Sequence, residues 1–285
     1  MQNSFITNNI ISQSYKNKSI YNILYKKHGS LVDKILESFS SINIIDEKYE
    51  DKYLVNYDLF LSCDPLDHIG YNIKYRDLHI KNAVYIVNDY PKILKKEDRF
   101  LLKNQLSNTF KIILSEEIRA NWDLFNSSIL IPGIPKIIID KKPIKDILFL
   151  NLDNNNSINN IYKNIKTSIK NTDIISNIDS MSLYDIYSLF SSYKLIIDLS
   201  HSCFVGGLIS LESGCELITN NKYLIDDGAY FLNDDISNLS NQIRTALNSS
   251  EIKDREISKK YDFSVFENKM IQYIQQIISE PFIYE

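Results

Sequence analysis

Residues 195–221 read LIIDLSHSCFVGGLISLESGCELITNN. An apolar run, Leu195-Ile196-Ile197-Asp198-Leu199, gives way to a polar patch, Ser200-His201-Ser202-Cys203, and then to the pair Gly206-Gly207. A second apolar segment carries one acid, Glu212, and after Gly214 comes another apolar run, Leu217-Ile218-Thr219. The chain holds 7 glycines in 285 residues, where average usage would give roughly twenty. Three of them fall here. Glycine beside a strand end permits positive φ and close approach of a ligand to the backbone. Strand, glycine turn, helix and strand, in that order, is how an α/β protein builds a phosphate or nucleotide site.

Working outward, a similar unit opens the chain. Tyr21–Tyr25 reads as a strand and His28-Gly29-Ser30 as a turn. Leu31, Val32, Ile35, Leu36 and Phe39 recur at helical spacing, Ser30 and Asp33 make a capping pair, and Ile42–Ile45 is the next strand. Further strands are expected at 57–61, 83–87, 110–114 and 128–131, each followed by turn formers or a capped helix. Ser115 caps one such helix, with Ile118, Trp122 and Phe125 on its buried face. Pro132-Gly133-Ile134-Pro135 is the best domain boundary. A second series follows: strands at 146–150 and 173–175, a helix through Ile161, Ile165 and Ile169, and a helix capped by Ser182 with Asp185. Beyond the opening stretch lie a short strand at Tyr230-Phe231, a helix at 236–247 and a last helix from about Ser264 to Ser279. The fold class is α/β, with two doubly wound halves.

Composition narrows the function. At 44% hydrophobic and 24% charged, the chain fits a globular protein with a sizeable core. A net charge of −4 offers no basic footprint for nucleic acid. Cys63, Cys203 and Cys215 show neither a disulfide framework nor a thiolate zinc site, and no metal is expected. The N-terminus lacks the apolar core of a signal peptide, and no apolar run reaches the ~20 residues of a membrane span. The expected location is the cytoplasm.

Met181–Asn221 resembles the GT-B fold of nucleotide-sugar glycosyltransferases, most closely the family 4 type. The matching pieces are the helix Leu183–Tyr193, the strand Leu195–Leu199, Phe204-Val205-Gly206-Gly207, the pair Leu211-Glu212, and Cys215-Glu216-Leu217-Ile218-Thr219. Val87–Pro91 and Leu130–Gly133 agree more loosely. The resemblance implies a polar tail at 1–19, an N-terminal Rossmann-like acceptor-side domain at 20–135, a C-terminal Rossmann-like nucleotide-sugar domain at 136–262, and a crossover helix at 263–285 packing back towards the first domain. The chain departs from the family: it is short overall, and the segment after Glu212 is about three residues short. The family's first motif acid aligns with Phe204, and the loop that carries an Arg and a Lys reads Asn151-Leu152-Asp153-Asn154-Asn155-Asn156 here, with Lys163 and Lys166 on the next helix as substitutes.

The resemblance gives the residues roles. Glu212 would accept hydrogen bonds from the donor ribose hydroxyls, since a carboxylate holds two adjacent hydroxyls. The Gly206-Gly207-Leu208 backbone would receive the diphosphate without a metal. Gly29 and Ser30 would face the cleft, although an ordinary helix cap accounts for them equally. His201 is placed to touch a phosphate or sugar. Asp89 would orient the acceptor hydroxyl or act as general base, and His28 is a second base candidate, each against the plainer reading of a turn acid and a surface histidine. Asp64, Asp67 and His68 read as a solvated loop. No cofactor is implied beyond a nucleotide-sugar co-substrate, and the expected partner is a glycan or lipid-linked acceptor, with a peripheral membrane contact and the oligomeric state left open. Two alternatives stand beside the transferase: a catalytically silent GT-B-like binding subunit and an unrelated nucleotide-binding protein.

Overall fold

A computed structural model describes residues 21–25, 31–46, 57–65, 80–86, 96–106, 109–122, 124, 126–140, 142–152, 155–178, 180–199, 203–232, 236–249 and 257–280. Two open sheets frame it. The first contains β1 (Tyr21–Tyr25), β2 (Ile42–Asp46), β3 (Leu59–Ser62), β4 (Asn82–Ile86), β5 (Phe110–Ile113) and β6 (Ser128–Ile129), in the order β2-β1-β3-β4-β5-β6. The second contains β7 (Lys145–Leu150), β8 (Thr172–Ile175), β9 (Tyr193–Asp198), β10 (Glu216–Thr219) and β11 (Tyr230–Phe231), in the order β11-β10-β9-β7-β8. Every pairing within the two sheets is parallel. Strands buried on both faces read as unbroken apolar runs rather than alternations, which is why Leu195-Ile196-Ile197 and Ala83-Val84-Tyr85-Ile86 show no polar register.

The alternation appears in what each face touches. In the second sheet, Ile147, Phe149, Leu195, Ile197 and Ile218 pack with Ile158 and with Leu239, Ile243 and Ala246. Leu148, Leu150, Ile196 and Leu217 face the other way, into a cluster shared with Ile23, Leu31, Ile35 and Leu61 of the first half. The halves therefore meet through one continuous core. The helices are α1 (Leu31–Glu37), α2 (Lys96–Gln105), α3 (Glu116–Trp122), α4 (Asn156–Ser168), α5 (Leu183–Phe190), α6 (Cys203–Glu212), α7 (Leu239–Asn248), α8 (Ile257–Lys260) and α9 (Phe263–Ser279). The expected helix at 236–247 opens with a 3-10 turn, Ile236–Asn238, before α7 begins. The capping box at α5 is present on both sides: Asp185 N donates to Ser182 Oγ at 3.1 Å, and Ser182 N donates to Asp185 Oδ2 at 3.1 Å.

The last helix returns to the first half, as the GT-B layout requires. Phe266 meets Phe39 edge-on at 5.2 Å between ring centroids, and Glu267 Oε1 accepts from Ser40 N at 2.6 Å. At the far end, Lys81 Nζ donates to Ile277 O at 2.7 Å and Ile278 O at 3.0 Å, placing a cation on the negative end of the helix. The two chain segments that pass between the halves run side by side: Ile134 forms a parallel bridge with Asp262, and Ile134 N donates to Tyr261 O at 3.0 Å. Gly133 permits this approach, because a Cβ there would lie 2.4 Å from Asp262 O.

Candidate functional site

In open α/β sheets, ligands bind outside the carboxyl ends of the strands, where the strand order reverses. That point falls between β1 and β3 in the first half and between β7 and β9 in the second. The two points lie close together: the open side of Gly206 on α6 faces Leu31 at the start of α1, together with Leu150 and Asp198 at the ends of β7 and β9. A cleft between the halves would be floored by these residues.

On the first-half side, β1 ends in Tyr25 and Cys63 follows β3. The Tyr25 hydroxyl donates to Asp33 Oδ1 at 2.5 Å and lies 3.1 Å from Cys63 Sγ. A phenol has one proton, so with that proton on Asp33 the thiol is the donor to the phenol oxygen. All three side chains are buried. Burial first, and then the Asp33 charge, push the Cys63 thiol far above its ordinary range. Cys63 is a protonated link in a chain rather than a nucleophile. Asp33, in the first turn of α1, thus also bonds a strand end; its expected capping partner Ser30 lies outside the described residues.

On the second-half side, Asn151 follows β7 and is fully buried. Its Oδ1 accepts from Asn155 N at 2.7 Å, and its Nδ2 donates to Asn159 Oδ1 at 3.0 Å and Asn155 O at 3.2 Å. Asn155 in turn caps α4 by accepting from Ser157 N at 2.9 Å. Asparagine amides therefore shape this loop, at the place where the resembling family puts cations. Lys166 Nζ donates to Tyr162 OH at 2.5 Å on the exposed side of α4. Lys163 lines an open cavity of about 470 Å³ with Asn156, Asn159 and Ile174, beside the edge strand β8 rather than at the switch point.

Asp198, the last residue of β9, carries the acid that sequence reasoning passed over. It is 2% exposed, at the end of the apolar run Leu195-Ile196-Ile197. A Cβ on Gly206 would lie 2.8 Å from its Oδ2 and 3.0 Å from Leu31 Cδ1. The polar end of an apolar run was the available signal, because a buried carboxylate is costly unless it is held.

The opening stretch folds differently in one respect. The pair Gly206-Gly207 lies within α6 rather than in a turn before it, and Gly214, at φ 81°, turns the chain after the helix. The N–H groups left over at a helix start belong to its first residues, here Cys203, Phe204 and Val205. Gly206 is flat against Asp198 and Leu31, whereas Gly207 faces its own half, where a Cβ would meet Leu224 Cδ1 and Leu217 Cδ2. Leu208 is fully buried. The missing side chains let α6 lie close to neighbours on two sides.

Phe204, in the place of the family's first acid, is buried and meets Tyr261 edge-on at 5.8 Å. The Tyr261 hydroxyl donates to Asp227 Oδ2 at 2.7 Å, and Lys260 Nζ reaches Asp227 Oδ1 at 2.5 Å. Burial, followed by the Asp227 bond, pushes the Tyr261 hydroxyl up to about 12. Glu212 stands at the end of α6. Its Oε2 accepts from Ser258 N at 2.8 Å and its Oε1 from Ser258 Oγ at 2.7 Å. His28, Gly29, Ser30, Asp89, His201, Asp67 and His68 lie outside the described residues. Among the described residues, no cluster of three or more His, Cys, Asp or Glu side chains could hold a metal ion, and no helix is long and apolar enough to cross a membrane.

Two facing Rossmann-like halves, with the final helix folded back on the first, define the GT-B fold. Solved structures share it over nearly the whole chain. Anabaena HepE in complex with UDP-glucose matches 90% of this chain and 99% of its own, with a TM-score of 0.64 at 8% identity. Sucrose-phosphate synthase from Thermosynechococcus elongatus matches 91% and 99%, with a TM-score of 0.63 at 10% identity. UDP-GlcNAc 2-epimerase from Methanocaldococcus jannaschii, in complex with UDP-GlcNAc and UDP, matches 90% and 99%, with a TM-score of 0.57 at 13% identity. No protein-family model and no curated protein matches the sequence.

Proposed function

We propose that this chain binds a nucleotide-sugar between its halves and transfers the sugar to a hydroxyl of a glycan or lipid-linked acceptor. One observation carries the reading: the switch points of both sheets converge where α6 leaves β9, against the start of α1. The shared fold with proteins solved with UDP-glucose and UDP-GlcNAc supports it. In this reading the first turn of α6 receives the diphosphate through backbone N–H groups. Gly206, Gly207 and Leu208 let that helix approach, His201 lies on the same connection, and Glu212 takes the ribose hydroxyls. Gly29 and Ser30 border the donor from the other half. Asp89 or His28 accepts the proton of the attacking hydroxyl as the sugar is transferred, and no metal is required at the diphosphate.

Calorimetric titration with UDP and a panel of UDP-sugars tests the binding step, and mass spectrometry of the products tests transfer. Saturable UDP-sugar binding is expected. Its absence at millimolar ligand overturns the reading. A second reading, a binding subunit without catalysis, is favoured by Phe204, whose ring packs on Tyr261 where the family has a carboxylate. It predicts UDP binding without turnover of any sugar in the panel.

A further inference from the structure

Glu212 already holds a ligand of its own. Both carboxylate oxygens accept from one residue: Oε2 from Ser258 N at 2.8 Å and Oε1 from Ser258 Oγ at 2.7 Å. Two donors carried by adjacent atoms of a single group, one on each oxygen, is also how a vicinal diol engages a carboxylate. We propose that Ser258 is a self-supplied stand-in for the ribose diol, and that donor binding at Glu212 displaces it. This inference rests on the reading of Glu212 as the ribose-binding carboxylate.

The consequence extends beyond one side chain, because Ser258 sits in the segment that crosses between the halves. Ile257 and Ser258 are buried beside α6. Three residues on, Tyr261 packs on Phe204 and bonds Asp227, while its carbonyl accepts from Ile134 of the other crossing segment. Asp262 completes the bridge to Ile134 and caps α9, its Oδ1 accepting from Val265 N at 3.0 Å. Exchanging Ser258 for ribose hydroxyls frees the start of α8 while Asp227 keeps its hold on Lys260 and Tyr261. Donor occupancy in the second half is thereby transmitted to the joint between the halves. The coupling is reciprocal: whatever loosens Ser258 favours the donor by the same factor that the donor loosens Ser258.

UDP titrated into wild type and Ser258→Ala is the direct test. Removing a hydrogen bond to a charged group from the competing side is expected to tighten UDP binding by about tenfold, and the gain should vanish when Glu212→Gln is added. Equal or weaker UDP binding by Ser258→Ala overturns the proposal. Hydrogen exchange on the wild-type protein gives a second readout that needs no variant. The Ser258 amide should lose protection at saturating UDP, and unchanged protection overturns the proposal. If neither protein binds UDP at millimolar concentration, the nucleotide-sugar reading fails and the displacement falls with it. If both bind equally, only the displacement fails.

Discussion

The two halves hold their buried polar groups with similar materials and use them differently. In the first half, Tyr25, Asp33 and Cys63 are linked in a buried chain spanning the ends of β1 and β3 and the first turn of α1. In the second half, the polar groups are held by the following helix or by the crossing segment: Asn151 by the helix after it, Glu212 by Ser258, and Asp227 by Lys260 and Tyr261. A buried chain of neutral and charged partners fixes a surface. A carboxylate held by an exchangeable donor pair can change partners. If Glu212 exchanges Ser258 for a ligand as proposed, the first side of the junction is scaffold and the second changes with the ligand.

Breaking this buried chain should have the largest effect. Tyr25→Phe keeps the ring but removes a hydrogen bond to the buried Asp33 carboxylate, which is expected to cost about 2–3 kcal/mol. Denaturant unfolding measures this. If the chain is scaffold alone, UDP affinity in folded Tyr25→Phe stays at the wild-type value. A drop of tenfold or more would erase the contrast between the two sides.

Gly206→Ala probes the place where both sides meet. The new methyl would press on Asp198 Oδ2 at 2.8 Å and Leu31 Cδ1 at 3.0 Å, a crowding expected to cost about 1–2 kcal/mol. Leu31 has a soft side chain and can shift, whereas Asp198 ends a buried strand, so the strain should fall on the α1–α6 contact. Urea unfolding reads the cost. A wild-type midpoint for Gly206→Ala would mean that the halves are not in contact there.

Much of this frame was legible before any coordinates. Parallel strands announce themselves as short apolar runs between turn formers, and Ser182 with Asp185 is a local signal that needs only neighbouring residues. The site was less legible, for a physical reason. Ser258 and Glu212 are 46 positions apart, and Tyr25 and Cys63 are 38 apart. No periodicity records such pairings. Asp33 reads as a cap partner because capping is the local option, and nothing in its neighbourhood announces the Tyr25 hydroxyl that also reaches it. The glycine pair was read as a turn because turns are the commonest need for glycine. Here the need is side-chain space on two faces of a helix.

The smallest effect is expected at the opposite edge of the second sheet, where a third polar cluster serves as a control. Lys145 Nζ lies 2.7 Å from Asp173 Oδ2, and the Tyr193 hydroxyl donates to the same oxygen at 2.6 Å. These residues stand near the amino ends of β7, β8 and β9, away from the switch point. The bond from Lys145, and then that from Tyr193, hold the Asp173 carboxyl below its ordinary value. A depressed carboxyl contributes stability above its unfolded pKa, and that contribution disappears as pH falls through the folded pKa. The Asp173 side chain is 42% exposed, so solvent screens the pair and Asp173→Asn should cost under ~1 kcal/mol near neutral pH. Wild type and variant should converge as the medium is acidified below the ordinary carboxylate range, which unfolding curves across that interval would show. UDP affinity should not move at any pH where both are folded. A change there would mean that the amino edge also reports on the ligand, and the division of labour between the two sides of the cleft would have to be redrawn.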